Sequence, residues 1–323
     1  MAYVTDLVKN PRPLNQIHKP TSRQQVNIFA MGDVGSTLLS GLFLLGGELI
    51  HTIGIWDLNP DLMHRLETEY GQIATANSRR KFPKVVGVSK DRFFEGDVAV
   101  FCASASVPSL DYTKEDVRMM QWNRNRTLVS EWAKRGVTYG FRGWMAIVSD
   151  PVDLLCKAAY IAASGMDSSW GADRIRGYGL GVMHGRACYY SRKDLRFKSY
   201  EKKGRAFGPH GKGLVLANHM EDYQEELSLE LTQKVVEANM VARENGYKPY
   251  IAPALASGAL SILDTLAGNW QYSAIYLGEE TEGAYFGLLN RLGLEGTEIE
   301  KLELPENLFQ RIRNSFEEIR KTY

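Results

Sequence analysis

The stretch Val26-Asn-Ile-Phe-Ala-Met-Gly-Asp-Val-Gly35 decides the fold. Its first five residues form a short apolar run of the kind found in buried parallel strands. Gly32 and Gly35 then indicate a tight turn, and the leucines at 38, 42 and 45 repeat at the spacing of one helix face. The stretch therefore predicts a strand, a turn and a helix, which together make the first half of a βαβ unit.

The same alternation of strand and helix continues towards residue 150. Further strand candidates lie at 52–56, 85–88, 97–103 and 145–149. Strands that alternate with helices favour an α/β fold with a Rossmann-type, doubly wound parallel sheet and right-handed crossovers.

The residue composition of the chain changes near residue 170. A glycine-rich, basic segment at 171–212 precedes a long amphipathic helix, for which Gly246 is the predicted C-cap. Another helix is expected over 255–266, and a last one begins at Pro305. We therefore expect an α+β catalytic domain at 166–323 after a Rossmann domain at 26–165.

Residues 1–25 contain three prolines and no clear period, so they are expected to form an arm. The arm is either a disordered tail or a segment that embraces a neighbouring subunit.

Composition excludes several classes of protein. Of 323 residues, 39 are Lys or Arg and 38 are Asp or Glu, which gives a net charge of +1. A protein that binds nucleic acid or anionic lipid typically has a large excess of positive charge, which this chain lacks. The three cysteines are widely spaced, which favours a reducing compartment over disulfides or a zinc site. No secretory signal or membrane-spanning stretch is evident, so we expect a soluble, cytoplasmic protein without a metal.

The turn after the first strand carries the cofactor prediction. Residues 30–35 fit G-x-G-x-x-G with alanine in place of the first glycine. Gly32 would let the backbone approach a pyrophosphate, and Gly35 would let the helix pack closely on the strand. The helix that begins at Asp33 and Val34 would direct its first N–H groups towards the phosphates. Alanine at position 30 is expected to be tolerable only if that position needs no positive φ.

Asp57 ends the second strand, 22 residues after Gly35. A carboxylate there can accept hydrogen bonds from the ribose hydroxyls and would repel a 2′-phosphate, which favours NAD over NADP. The alternative is a plain turn residue at the end of a strand. Ala103 and Ser104, where the strand candidate at 97–103 ends, complete the predicted cofactor-binding set.

From residue 26 to the C-terminus the chain resembles the L-lactate/malate dehydrogenase family. The segments that carry the resemblance are 30–35 (AMGDVG), 55–57 (IWD), 118–125 (RMMQWNRN), 149–155 (SDPVDLL), 177–186 (GYGLGVMHGR) and 208–211 (GPHG). The family transfers a hydride between nicotinamide and the carbonyl carbon of a 2-keto acid, and its members generally form dimers or tetramers. The resemblance therefore implies a homodimer or homotetramer that binds a small 2-keto or 2-hydroxy acid.

The resemblance also implies roles for three residues. His210 resembles the acid/base histidine, and imidazole titrates near the working pH of such enzymes. Arg186 occupies the place of the arginine that grips the substrate carboxylate with a two-pronged fork. Arg118 resembles the mobile-loop arginine that polarises the carbonyl. As alternatives, the histidine could belong to a surface loop and the arginines to solvated helix faces.

Two positions depart from the family pattern. The aspartate that orients the histidine, three residues before the carboxylate-binding arginine, is Met183 here. The asparagine before Pro-Val-Asp is Asp150, which would repel a substrate carboxylate unless it is protonated or faces a cation. Asp150 is therefore a further catalytic candidate, since it could supply the missing carboxylate to the histidine.

The loop that discriminates substrates in the family also differs. Residues 105–108 read Ala-Ser-Val-Pro and contain no arginine for a second carboxylate. The sequence thus predicts an NAD-dependent dehydrogenase for a 2-keto acid other than those of typical lactate or malate enzymes. The alternatives are an imine-reducing, opine-like dehydrogenase and a catalytically weakened NAD-binding sensor or scaffold.

Overall fold

A computed structural model describes residues 2–77, 79–104, 114–244, 252–279 and 281–322 of the chain. The strands in chain order are β1 (Gln24–Phe29), β2 (Ile50–Trp56), β3 (Lys84–Gly87), β4 (Val98–Phe101), β5 (Trp144–Ile147), β6 (Ile175–Gly177), β7 (Arg205–Phe207), β8 (Val215–Ala217), β9 (Gln271–Leu277), β10 (Ala284–Gly293) and β11 (Gly296–Ile299). The α-helices are α1 (Asp33–Leu45), α2 (Pro60–Gly71), α3 (Lys114–Thr138), α4 (Val152–Ser164), α5 (Leu180–Lys193), α6 (Tyr200–Lys203), α7 (Glu225–Glu244), α8 (Ala256–Ala267) and α9 (Glu306–Thr322).

One sheet runs through most of the described chain. Its order is β11-β10-β9-β6-β5-β4-β1-β2-β3, and β1 to β6 pair in parallel. β9 joins the sheet antiparallel to β6, and β10 and β11 extend it by further antiparallel pairing. β7 and β8 form a separate antiparallel pair. The predicted doubly wound α/β fold is confirmed.

The parallel strands form where the sequence is a continuous apolar run. All four residues of β4 are buried, as are all four of β5. Strands covered on both faces need such runs, which is why the sequence indicated β1 to β5 to within two residues at each end. Helices cover both faces of the sheet. On one face α3 and α4 pack through Trp132 and Leu155, and on the other face α1 and α8 pack.

The N-terminal arm packs along its own chain, so it is not a disordered tail, and contact with a neighbouring subunit stays a prediction. The N–H of Arg12 donates to the carbonyl of Gly278 at 3.1 Å, and the N–H of Lys19 donates to that of Gly293 at 2.9 Å. The buried carboxylate of Asp173 accepts the N–H groups of Gln16 at 2.6 Å and of Ile17 at 3.2 Å. These hydrogen bonds hold the arm in place, because they give partners to backbone N–H groups that packing would otherwise remove from water.

The division of the chain at residues 165 and 166 remains a prediction. It falls between α4 and β6, and β6 continues the parallel sheet beyond it through its pairing with β5. In the part of the chain described above, no helix is long and apolar enough to cross a membrane. The three cysteines are buried and form no disulfide bond.

Candidate active site

The turn between β1 and α1 leaves open space beside its backbone. Gly32 is the N-cap of α1, and a Cβ built on it would meet no atom within 4 Å, so open space lies beside the backbone here. A Cβ on Gly35 would lie 2.0 Å from the carbonyl oxygen of Ala30, so only glycine fits. The first turn of α1, beginning with Asp33 and Val34, presents the positive end of the helix to this space.

Ala30 adopts a φ of +73°, the left-handed region that favours glycine. The expectation that alanine is tolerated here because no positive φ is needed was therefore wrong. The turn keeps the glycine conformation with an alanine side chain, at a cost of about 1–2 kcal/mol.

Asp57 contacts the same turn from the end of β2. One carboxylate oxygen accepts the N–H of Met31 at 2.7 Å, and the other accepts the N–H of Asn59 at 2.9 Å. The Asp57 side chain thus stabilises the turn through these two hydrogen bonds. A carboxylate oxygen can accept more than one hydrogen bond, so these contacts leave capacity for ribose hydroxyls.

Ala103 and Ser104 lie just after β4, which pairs with β1 on the side away from β2. The order of strands reverses at this point, and crevices at such switch points are where open α/β sheets bind ligands. Ser149 donates its hydroxyl to the carbonyl of Ala103 at 2.7 Å, which ties the ends of β4 and β5 together. Ser104 is exposed.

His210 lies in the loop between β7 and β8. Its Nδ1 is 2.9 Å from Oδ1 of Asp150, which follows β5. The side chain of His210 is only 16% exposed, whereas that of Asp150 is 54% exposed. A Cβ built on Gly179, the N-cap of α5, would lie 2.8 Å from the Cβ of His210, so the absence of a side chain there makes room for the histidine. Nε2 of His210 is buried and has no hydrogen-bond partner among the described residues.

Arg186, on α5, completes this group. Burial lowers the pKa of Arg186, and the nearby charge of Asp150 opposes that shift. Its Nη1 donates to the carbonyl of Val235 over a long 3.4 Å, and its Nε is buried without a partner within the described chain. Asp150 therefore interacts with both His210 and Arg186, and the structure brings three of the four predicted catalytic residues together.

Met183 provides no carboxylate to the histidine. Its side chain is 2% exposed and belongs to an apolar cluster with Leu180 and Val182. The carboxylate beside the ring comes instead from Asp150. Arg118 belongs to α3, but its side chain lies outside the described residues, as do residues 105–108, and Gly246 also falls outside them.

Two residues of this site were missed by the sequence analysis. Asn125, on α3, is 1% exposed and donates its side-chain N–H to the carbonyl of Asp150 at 2.9 Å. Asp153, on the first turn of α4, is 5% exposed, and burial raises its pKa to about 7. Both lie within the segments that carry the family resemblance, but a sequence motif does not show which of its polar members is buried.

The site contains no arrangement for a metal among the residues that the structure covers. No three or more His, Cys, Asp or Glu side chains converge there on a point where an ion could sit. The polar groups that converge are one imidazole, one carboxylate and one guanidinium, which suit an anionic organic substrate with a reacting oxygen.

No family model matches the chain. The L-lactate dehydrogenase of Treponema denticola is 28% identical over 192 residues, which are 58% of this chain and 55% of that protein. The chain thus aligns with about half the length of this curated relative. A lactate dehydrogenase from a Medee basin deep-sea metagenome library is 18% identical, with a TM-score of 0.73 over 93% of this chain and 98% of that one.

The chain has the fold of the lactate and malate dehydrogenases and resembles that family in sequence. A further neighbour with the lactate/malate dehydrogenase fold is the malate dehydrogenase of Archaeoglobus fulgidus, whose structure is a complex with NADH. It is 17% identical, with a TM-score of 0.67 over 92% of this chain and 97% of that one. The resemblance predicted from the sequence motifs is confirmed.

Proposed function

We propose that the protein is an NAD-dependent oxidoreductase that interconverts a 2-keto acid and its 2-hydroxy acid. The observation that carries this proposal is the His210–Asp150 pair, with Nδ1 and Oδ1 2.9 Å apart, beside the half-buried Arg186. An acid/base group and a carboxylate-binding cation are the two functions that the chain must provide for this reaction.

The turn after β1 fits a dinucleotide. The open space at Gly32 and the end of α1 suit a pyrophosphate, and Asp57 suits the hydroxyls of an unphosphorylated adenosine ribose. Ala103 and Ser104 would line the crevice on the β4 side. When bound, NADH would supply the hydride that reduces the carbonyl carbon of the keto acid.

The roles of the side chains follow from their surroundings. Arg186 would hold the substrate carboxylate, because its Nε is buried without a partner among the described residues and is a desolvated donor for a charged acceptor. His210 would donate the proton on Nε2 to the carbonyl oxygen as negative charge develops there. Asp150 would accept a hydrogen bond from Nδ1–H, which fixes the tautomer, and its charge would stabilise the imidazolium before the proton on Nε2 is transferred. We assign the polarisation of the carbonyl to Arg118 on the family resemblance.

The substrate would be a 2-keto acid other than oxaloacetate or pyruvate. Residues 105–108 contain no arginine for a second carboxylate, and Asp150 adds negative charge where the family has a neutral amide. We further propose that the protein acts as a cytoplasmic homodimer or homotetramer, as the family generally does.

A second candidate is an imine-reducing, opine-like dehydrogenase. The observation that favours it is the exposed half of Asp150 beside His210, since a carboxylate there would attract a protonated imine or amine. The two candidates differ only in whether the reacting carbon carries oxygen or nitrogen.

The test is oxidation of NADH with a panel of 2-keto acids, each with and without an added amine. Turnover with keto acids alone supports the first candidate, and turnover that requires the amine supports the second. His210→Gln is the matched control, because it should abolish either turnover while leaving NADH affinity unchanged. If NADH binds but neither set of substrates is turned over, a sensor or scaffold role replaces both.

A further inference from the structure

The carboxylate of Asp150 lies within hydrogen-bonding distance of His210, although the Asp150 side chain is 54% exposed. A side chain with so much solvent around it can adopt several staggered rotamers, because few neighbouring atoms exclude them. The position of the carboxylate therefore depends strongly on how the backbone of Asp150 is held.

Asn125, on α3, contacts that backbone directly. Its side-chain amide donates to the Asp150 carbonyl at 2.9 Å, and the residue is 1% exposed. A hydrogen bond in such a buried position is strengthened by the low local dielectric. α3 is itself held in place, because it packs on α4 through a buried apolar cluster that includes Trp132 and Leu155. The amide thus holds the carbonyl from a rigid support.

Asn125 is the polar exception on the buried face of α3. The other buried residues in the described part of that helix are apolar or glycine: Trp122, Val129, Trp132, Ala133 and Gly136. An apolar side chain at position 125 would continue this face without removing an amide from water, which is costly unless the amide is hydrogen-bonded. The bond to Asp150 offsets that cost, so it gives a physical reason for a polar residue at this position.

Two other hydrogen bonds hold the chain on either side of Asp150. The hydroxyl of Ser149 donates to a carbonyl just after β4 at 2.7 Å, and the N–H of Leu155 donates to the Pro151 carbonyl at 3.0 Å. Neither bond contacts the peptide group that joins Asp150 to Pro151. The Asn125 amide contacts this group, so it orients the peptide plane that follows the Cα of Asp150.

We propose that Asn125 is a positioning residue, which orients the backbone of Asp150 so that the carboxylate reaches His210. The proposal rests on the proposed acid/base role of the His210–Asp150 pair. Without the amide, the peptide plane after Asp150 is free to rotate, and rotation at its Cα moves the side chain. A displacement of about 1 Å at a catalytic group can cost about 100-fold in rate.

The structural test compares crystal structures of Asn125→Leu and the parent protein. Leucine has the branched shape of asparagine but donates no hydrogen bond. In the variant, the distance between Nδ1 of His210 and Oδ1 of Asp150 should exceed about 3.5 Å, where the hydrogen bond is lost, or the carboxylate should occupy more than one conformer. A single conformer with the distance still at 2.9 Å overturns the proposal.

The matched control is Asn123→Leu, the same substitution at an exposed position of the same helix. It should leave the His210–Asp150 distance unchanged. If Asn125→Leu fails to fold, Asn125→Ala removes the donor without adding bulk, and the same distance decides.

The kinetic test is a double-mutant cycle with Asp150→Asn. Asn125→Leu should lower kcat by about 10–100-fold in the parent protein. In the Asp150→Asn background it should lower kcat less than about twofold, because the carboxylate that it positions is already gone. A merely structural role would reduce kcat equally in both backgrounds, so equal losses also overturn the proposal.

The two tests separate this proposal from the proposed function. The crystal structures need no turnover, so they decide the role of Asn125 even in a protein without dehydrogenase activity. Absence of that activity in the parent protein would contradict the proposed function alone.

Discussion

Nδ1 of His210 lies 2.9 Å from Oδ1 of Asp150, although 60 positions separate the two residues in the chain. In the family that the sequence resembles, the carboxylate beside the histidine comes from the helix that carries the substrate-binding arginine. Here the corresponding position on α5 is the buried Met183, and the carboxylate comes from the segment between β5 and α4. The same pair of groups is thus assembled from a different part of the fold.

Asp150→Asn should lower kcat by about 10²–10⁴-fold, because the amide cannot stabilise imidazolium by charge. The KM for the keto acid should stay the same or fall, since the substitution also removes negative charge near Arg186. Steady-state kinetics at several pH values would measure both constants. Unaltered kcat in the variant would show that the pair plays no part in proton transfer.

A second substitution tests whether the carboxylate can act from its family position. Met183 lies one helical turn beyond Gly179, where an added Cβ would lie 2.8 Å from the Cβ of His210, so we expect an aspartate at position 183 to lie on the same helix face. Met183→Asp in the Asp150→Asn background should recover about tenfold of the lost kcat. Met183→Asn in the same background is the control, and it should recover none.

Arg186→Lys should reduce kcat/KM for the keto acid by about 30–1000-fold, or roughly 2–4 kcal/mol, because a point charge cannot replace a desolvated bidentate fork. Arg192→Lys is the matched control on the same helix, where the arginine is exposed and pairs with Glu201. It should be neutral. Equal kinetics for both variants would place Arg186 outside the substrate site.

The sequence predicted β1 to β5, because each of these parallel strands is built around apolar residues that are buried in the sheet. It did not indicate β9, whose seven residues are all buried but include Gln271 and Ser273. These two side chains hydrogen-bond to each other and to Asn290 on β10. They are therefore satisfied inside the protein, whereas polar residues in a sequence usually indicate an exposed position. β6 escaped notice because it has only three residues.

The candidate site shows the same division between local and long-range information. The turn at Gly32 and Gly35 could be predicted, because its chemistry is contained in six consecutive residues. The family pattern indicated His210 and Asp150 and suggested that Asp150 could supply the carboxylate to the histidine, but only the fold shows the distance between them. The burial of Asp153 is also a tertiary property, which is why a conspicuous carboxylate at position 153 carried no prediction.

Asp57→Asn should narrow the preference for NADH over NADPH by about tenfold or more, because it removes the charge that would meet a 2′-phosphate. Asparagine keeps an acceptor oxygen for the N–H of Met31 or Asn59, so the turn should survive better than in Asp57→Ser. Dissociation constants for both cofactors measure the effect. Equal affinity of the parent protein for both cofactors would contradict the assignment.

Ala30→Gly should raise the free energy of unfolding by about 0.5–1 kcal/mol. Glycine removes the strain of a left-handed alanine from the folded state, but it also raises the conformational entropy of the unfolded chain. The expected gain in stability is the difference between these two effects. Gly140→Ala is the mirror test, because Gly140 has a φ of +66° and a Cβ there would meet nothing within 4 Å. It should lose a similar amount. Urea unfolding would measure both, and a destabilising Ala30→Gly would show that the alanine methyl makes a compensating contact.

Asp153→Asn should change how stability depends on pH. Burial raises the pKa of Asp153 to about 7 in the folded protein, from 3.8 for a free carboxyl group. Between these values the unfolded chain has lost the proton while the folded protein keeps it. The folded state therefore binds more protons, and this group makes stability fall as pH rises from 4 to 7. Well above pH 7 the full penalty, about 4 kcal/mol, is present.

The asparagine variant should match the parent protein near pH 4 and exceed its free energy of unfolding at pH 8 by that amount, since the amide does not ionise. Unfolding by urea across this range would measure the difference between the two proteins, which cancels the titration of groups they share. Asp167→Asn is the control, because the pKa of the exposed Asp167 is lowered by its hydrogen bonds with Ser169 and the substitution should give no slope between pH 5 and 8. Parallel curves for Asp153→Asn and the parent would mean that Asp153 is ionised throughout this range, and the carboxylate would then be stabilised by His210 more strongly than burial penalises it.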